Sequence, residues 1–88
     1  LYATLQALAG QIRSVSGNGF SVHEAQAVEQ LEIAGFRPDY VSVRRQQDLA
    51  IPGPDDRQLV ILAAVWLGRA RLIDNLELDR KTAPAFIP

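Results

Sequence analysis

Few side chains in this sequence could do chemistry. His23 is the single histidine and stands beside Glu24, with Glu29 nearby. An imidazole next to a carboxylate can act as a general acid or base. It needs a nucleophile or a substrate-gripping partner, and none stands at workable spacing, so an exposed or cap-adjacent histidine is expected. "SGNG", residues 16–19, precedes a helical stretch and could offer free amides to a phosphate. No strand leads into it, no lysine follows, and Glu24 would repel an anion; a connector is expected. Arg44-Arg45 could meet a nucleotide phosphate, but a lone arginine pair reads as a solvated strand end. Asp55-Asp56 sits in a proline-rich loop with no further carboxylates, too few oxygen ligands for a cation. Asp74-Asn75 could reach a neighbouring domain or a ligand cleft. The favoured alternative has Asp74 accepting backbone amides or meeting Arg69 or Arg71. Trp66 is expected to pack rather than touch substrate. No residue is therefore assigned a catalytic, cofactor-binding or metal-binding role.

Composition narrows the function classes further. The 88 residues suffice for one small domain with a thin core. Nine basic and ten acidic residues leave a net charge of −1, which gives no pull toward nucleic acid or an anionic membrane. Cysteine is absent, which removes disulfides and thiolate metal sites. The apolar run Leu59 to Leu67 is far short of the ~20 residues of a membrane-spanning helix. The chain starts at Leu1 inside a helical pattern and contains no methionine, so a piece of a larger protein is expected.

The elements that must position these groups can be read in order. Leu1, Leu5, Leu8 and Ile12 recur at helical steps and predict a helix ending near Val15. Ser21-Val22-His23-Glu24 fits a reciprocal capping box, predicting a second helix from about Val22 to Ala34. Gly35 is placed to close it in the left-handed conformation, with Phe36 packing back on Leu31 and Pro38 preventing continuation. Tyr40 to Arg44 alternates as a short strand. "IPGPDDR", residues 51–57, is a loop by its turn chemistry. Leu59 to Leu67 and Ala70 to Leu78 then form a hairpin about Gly68-Arg69. "DRKTAPAFIP", residues 79–88, has no period and reads as a tail. The result is an α+β domain, two helices followed by a three-stranded antiparallel sheet.

A two-residue turn at Gly68-Arg69 sorts the hairpin into two faces. One carries Leu59, Ile61, Ala63, Val65, Leu72, Leu76 and Leu78, a core face fit to receive both helices. Asp74 is the misfit there, because a buried carboxylate needs a partner. The other carries Val60, Leu62, Ala64, Trp66, Arg71, Ile73, Asn75 and Glu77. Half apolar with a charged fringe, it has the character of a contact surface. Arg71 is placed to stack on Trp66. The chain owns only enough helix to cover one face.

"RPDYVSVR", residues 37–44, and "LGRARLIDN", residues 67–75, carry a resemblance. With the proline-containing linker between them, they resemble the carboxy-terminal domain of the pantoate-β-alanine ligase (pantothenate synthetase) family, over Leu1 to about Leu78. The resemblance implies a lid domain at residues 1–78, a tail at 79–88, and a partner in an amino-terminal nucleotide-binding domain. It further implies ATP and Mg²⁺ as cofactors of the intact enzyme, pantoate and β-alanine as substrates, and a cytoplasmic location. The family's histidine-glycine-histidine and serine-serine-arginine-asparagine motifs do not occur in this chain, so no catalytic residue is carried over. The 88-residue piece alone is expected to lack ligase activity and to bind neither cofactor. The alternative is a small non-catalytic module that self-associates through its exposed sheet face.

Overall fold

The computed structural model describes residues 1–13 and 20–80. Helix α1 (Tyr2–Ile12) and helix α2 (Ser21–Ile33) precede strands β1 (Arg37–Arg45), β2 (Gln58–Leu67) and β3 (Ala70–Asp79). The strands form one antiparallel sheet in the order β1-β2-β3. This is the α+β arrangement expected from the sequence.

In α1 the buried side chains Leu5, Leu8, Ala9 and Ile12 fall on one stripe. The helix ends at Ile12, with Arg13 as its C-cap; the expected extension to Val15 and the "SGNG" connector lie outside the described residues. At the start of α2 the sequence expectation fails. Phe20 is the N-cap, Ser21 is already helical, and no side chain caps the end. The Glu24 carboxylate instead accepts the Val43 N–H of edge strand β1 at 2.7 Å. This charge-assisted bond ties the helix to the sheet, which a local cap would not do. The other end of α2 closes as expected. Gly35 has φ +96°, Gly35 N–H donates to Glu32 at 3.0 Å, and Phe36 N–H reaches Leu31 at 3.0 Å. These are the paired bonds of a glycine-closed helix end.

Strand β1 starts at Arg37, earlier than the expected Tyr40, because Pro38 is tolerated on an edge strand. The register shifts between Pro38 and Tyr40, which leaves Asp39 as the extra residue of a bulge. The hairpin has the expected register: Leu67 pairs with Ala70, Trp66 with Arg71, Val65 with Leu72 and Ala63 with Asp74. Gly68 has φ +60° while Arg69 keeps a negative φ, the geometry of a tight mirror-image turn whose twist suits antiparallel strands.

The core lies between the helices and one sheet face. Val41, Val43, Leu59, Ile61, Ala63, Val65 and Leu78 pack there with Leu5, Leu8, Ile12, Phe20 and Leu31. Helix α2 lies over β1 and α1 over β3. Leu72 shares this face but is 37% exposed, whereas Leu78 is 4% exposed. An 11-residue helix is ~16 Å long and a 10-residue strand ~33 Å, so α1 cannot roof the hairpin's far end. Asp74, half-buried, does not meet Arg69 or Arg71; its Oδ1 accepts the N–H of Asn75 at 2.8 Å. Strand β3 continues one residue past the expected Leu78, through Asp79, and Arg80 is fully buried; the rest of the expected tail, residues 81–88, lies outside the described residues.

Candidate functional site

The face of the sheet away from the helices is the candidate site. Cross-strand pairing arranges it in rows: Arg37, Trp66 and Arg71; Tyr40, Ala64 and Ile73; Ser42, Leu62 and Asn75; Arg44, Val60 and Glu77. Its central column, supplied by β2, is apolar from Val60 to Trp66. Ala64 and Val60 in this column are nonetheless buried. Ile73 is 65% exposed and Tyr40 is also exposed. Among the described residues, no helix roofs this side.

Two polar interactions frame the column near the hairpin end. The Arg37 guanidinium carbon lies 5.7 Å from the Trp66 ring centroid. Arg71 Nη2 donates to Asp39 Oδ2 at 2.8 Å. The expected stacking of Arg71 on Trp66 is therefore replaced: Asp39 takes Arg71, and Arg37 takes the ring. The bulge explains the exchange, because the extra residue carries a carboxylate that has left the ladder and reaches across β2. Neither the bulge nor Arg37 was legible from alternation alone. The signal present was Pro38 inside a strand-like run, which demands an edge position or a bulge.

The other candidates remain scattered. His23 is half-buried, and its Nδ1 has no hydrogen-bond partner among the described residues. Glu24 is engaged by Val43, and exposed Glu29 lines a groove of about 580 Å³ between α1 and α2 with Thr4, Gln11 and Gln26. No hydrogen bond joins His23 to a hydroxyl among the described residues, so no nucleophile–base pair forms. Arg44 borders a 230 Å³ recess beside Phe20, Ser21, Glu24 and Ile51. Arg45 Nε lies 3.3 Å from Asp48 and 3.7 Å from Asp56, ion pairs that hold the β1–β2 connection. Asp56 also accepts the Gly53 N–H at 2.7 Å, the role of a turn carboxylate rather than a cation ligand. Among the described residues no three His, Cys, Asp or Glu side chains gather in a metal-binding group. No helix among them is long and apolar enough to cross a membrane. What the arrangement offers is a surface for contact.

Comparison with known proteins gives that surface a context. The family model described as pantoate-beta-alanine ligase matches residues 1–77. A pantothenate synthetase of Thioalkalivibrio sulfidiphilus is 57% identical over 79 residues, covering 90% of this chain and 27% of that protein. A pantothenate synthetase of Methylococcus capsulatus is 49% identical over 82 residues, 93% of this chain and 28% of the relative. One from Shewanella amazonensis is 50% identical over 80 residues, 91% of this chain and 28% of the relative. The chain thus spans about a quarter of the length of the relatives it matches. The matched region runs from α1 into the last turns of the hairpin, and it includes both faces of the sheet. The chain belongs to the pantoate-β-alanine ligase family.

Proposed function

We propose that this chain is the lid domain of an ATP-dependent pantoate-β-alanine ligase, and that its helix-free sheet face docks on a nucleotide-binding domain. One observation carries the proposal. On the side that the two helices leave uncovered, part-exposed Leu62 and Trp66 lie beside exposed Ile73 and Tyr40, while Val60 and Ala64 between them are already buried. Burying these exposed side chains against another domain is favourable by roughly 25 cal/mol per Å² of apolar surface removed from water. That the matched region makes up only 27% and 28% of two of the relatives supports a neighbouring domain as the cover.

In the proposed enzyme the pantoate carboxylate attacks the α-phosphorus of ATP, forming an acyl adenylate and releasing pyrophosphate. The β-alanine amine then displaces AMP at the acyl carbon, giving pantothenate. The family's histidine-glycine-histidine and serine-serine-arginine-asparagine motifs do not occur in this chain, so Mg²⁺ and the groups that grip ATP are assigned to the other domain, and no step is routed through this chain. The lid's share is to exclude water from the adenylate and to hold the closed geometry. A cytoplasmic location suits that reaction.

The test is complementation. The 88-residue chain should show no ligase activity alone, should bind the separately produced remainder of the ligase, and should restore ATP-dependent pantothenate formation. Ligase activity from the 88-residue chain alone would contradict the proposal, as would absence of both association and activity at high micromolar concentration. The competing reading is a self-associating module that buries the same face between two copies. Sedimentation of the isolated chain across concentrations separates the two, since dimerisation that the remainder of the ligase does not displace favours that module.

A further inference from the structure

We propose that Arg80 is a latch that holds the proline-containing strap 51–57 closed over the end of the sheet and against the start of α2. The proposal does not rest on the lid reading. Arg80 is the only charged side chain among the buried residues described, and none of its surface is exposed. Its Nε donates to the Asp56 carbonyl at 3.0 Å, and Nη2 to the same oxygen at 2.7 Å. Nη2 also reaches the carbonyls of Gly53 at 2.9 Å and Pro54 at 3.3 Å. The Arg80 backbone N–H donates to the Arg57 carbonyl at 2.7 Å. The guanidinium carbon lies 5.1 Å from the ring centroid of Phe20, the N-cap of α2.

The strap's sequence explains why a guanidinium suits it. Pro52 and Pro54 have no N–H, so this segment has more carbonyls than donors to satisfy them. A planar side chain with several N–H groups in a fixed fork supplies the missing donors from one place. Inside the strap, Asp56 holds Gly53 through a single carboxylate bond, and Asp56 N–H reaches the Gly53 carbonyl at a long 3.3 Å. Asp56 also meets Arg45 Nε of β1, at a long 3.7 Å; these contacts together are a weaker closure than a buried fork of hydrogen bonds. Arg80 therefore joins β3, the strap and the start of α2; Ile51 and Pro52 at the head of the same strap line a recess with Phe20. Arg80 makes this join from beyond residues 1–77, the part that matches the family model. Burial lowers the Arg80 pKa, while the charges of Asp56 and Asp55 oppose that shift. A guanidinium nevertheless stays charged across the accessible pH range.

The experiment is amide hydrogen exchange resolved by residue in the 88-residue chain, with the variants Arg80→Lys and Arg80→Met. The latch predicts that the Gly53 and Asp56 amides exchange about tenfold faster, or more, in both variants, while the β2 amides from Val60 to Val65 stay within about twofold. Lysine keeps the charge but not the fork, so unchanged protection in Arg80→Lys would overturn the latch. Acceleration of strap and β2 amides together would also overturn it, because Arg80 would then be an ordinary part of the cooperative core. Should neither variant fold, the unmodified protein decides. In low urea the strap amides must open before the β2 amides; a single shared opening contradicts the proposal.

Discussion

Asp39 and Arg71 belong to the two outer strands, and their 2.8 Å ion pair crosses β2 on the helix-free side. Both side chains are partly exposed, so their pairing adds little to stability. Asp39→Asn and Arg71→Ala should each lower the unfolding free energy by less than ~1 kcal/mol in urea titrations. Under the docking proposal, both variants should weaken association with the rest of the ligase by more than they weaken folding.

Glu24 and Ser21 separate two accounts of how α2 is held. Because the Glu24 carboxylate accepts Val43 N–H, Glu24→Ala removes the acceptor from an edge-strand amide and should destabilise by about 1–2 kcal/mol. Ser21→Ala should change stability by less than ~0.5 kcal/mol, since Ser21 caps nothing. A loss near 1 kcal/mol at Ser21 would restore the capping box. Chemical denaturation of the two variants in parallel checks this.

Gly35 takes φ +96°, and a Cβ there would meet open space. The penalty of Gly35→Ala is therefore purely one of backbone strain. It should destabilise by about 1 kcal/mol without disturbing the β1 register, as read from denaturation and from amide chemical shifts.

The latch makes a prediction about pH. A base whose folded pKa lies below its unfolded value binds its proton less tightly when folded. Stability then rises as pH climbs from the folded value toward the unfolded one. Arg80 is shifted in that direction by burial, but a guanidinium stays protonated across the accessible range. Arg80 should thus add no slope between about pH 6 and 9. An ammonium in the same desolvated place loses its proton far more readily, so the stability of Arg80→Lys should recover as pH rises toward about 10. Denaturation midpoints of parent and variant across that range check the difference in slope.

Much of the fold was legible because local chemistry and global packing agree. Gly35 and Phe36 announce the end of α2, and Gly68 fixes the hairpin register that sorts Leu59 from Trp66. The misreadings share a physical cause: each involves a side chain that finds a partner far away in sequence. Glu24 matches a local cap, yet it bonds to Val43 across the helix–sheet interface. Arg71 faces Trp66 in the ladder, yet a bulge invisible to simple alternation brings Asp39 to it. Arg80 stands in a stretch without period, yet carbonyls of a proline-containing loop bury it. The sorting of the hairpin into two faces was legible from its alternation; the burial of Val60 and Ala64 on the helix-free face was not, because alternation says nothing of what lies over a strand.

Docking of the helix-free sheet face is tested most directly at Trp66, the single tryptophan of the chain. Fluorotryptophan-labelled chain can be titrated with the unlabelled remainder of the ligase and followed by fluorine NMR. The Trp66 resonance should shift and saturate with a dissociation constant below ~100 µM, and Ile73→Glu should weaken that response about tenfold or more. A resonance that never moves, or that moves equally in Ile73→Glu, would contradict the docking of this face.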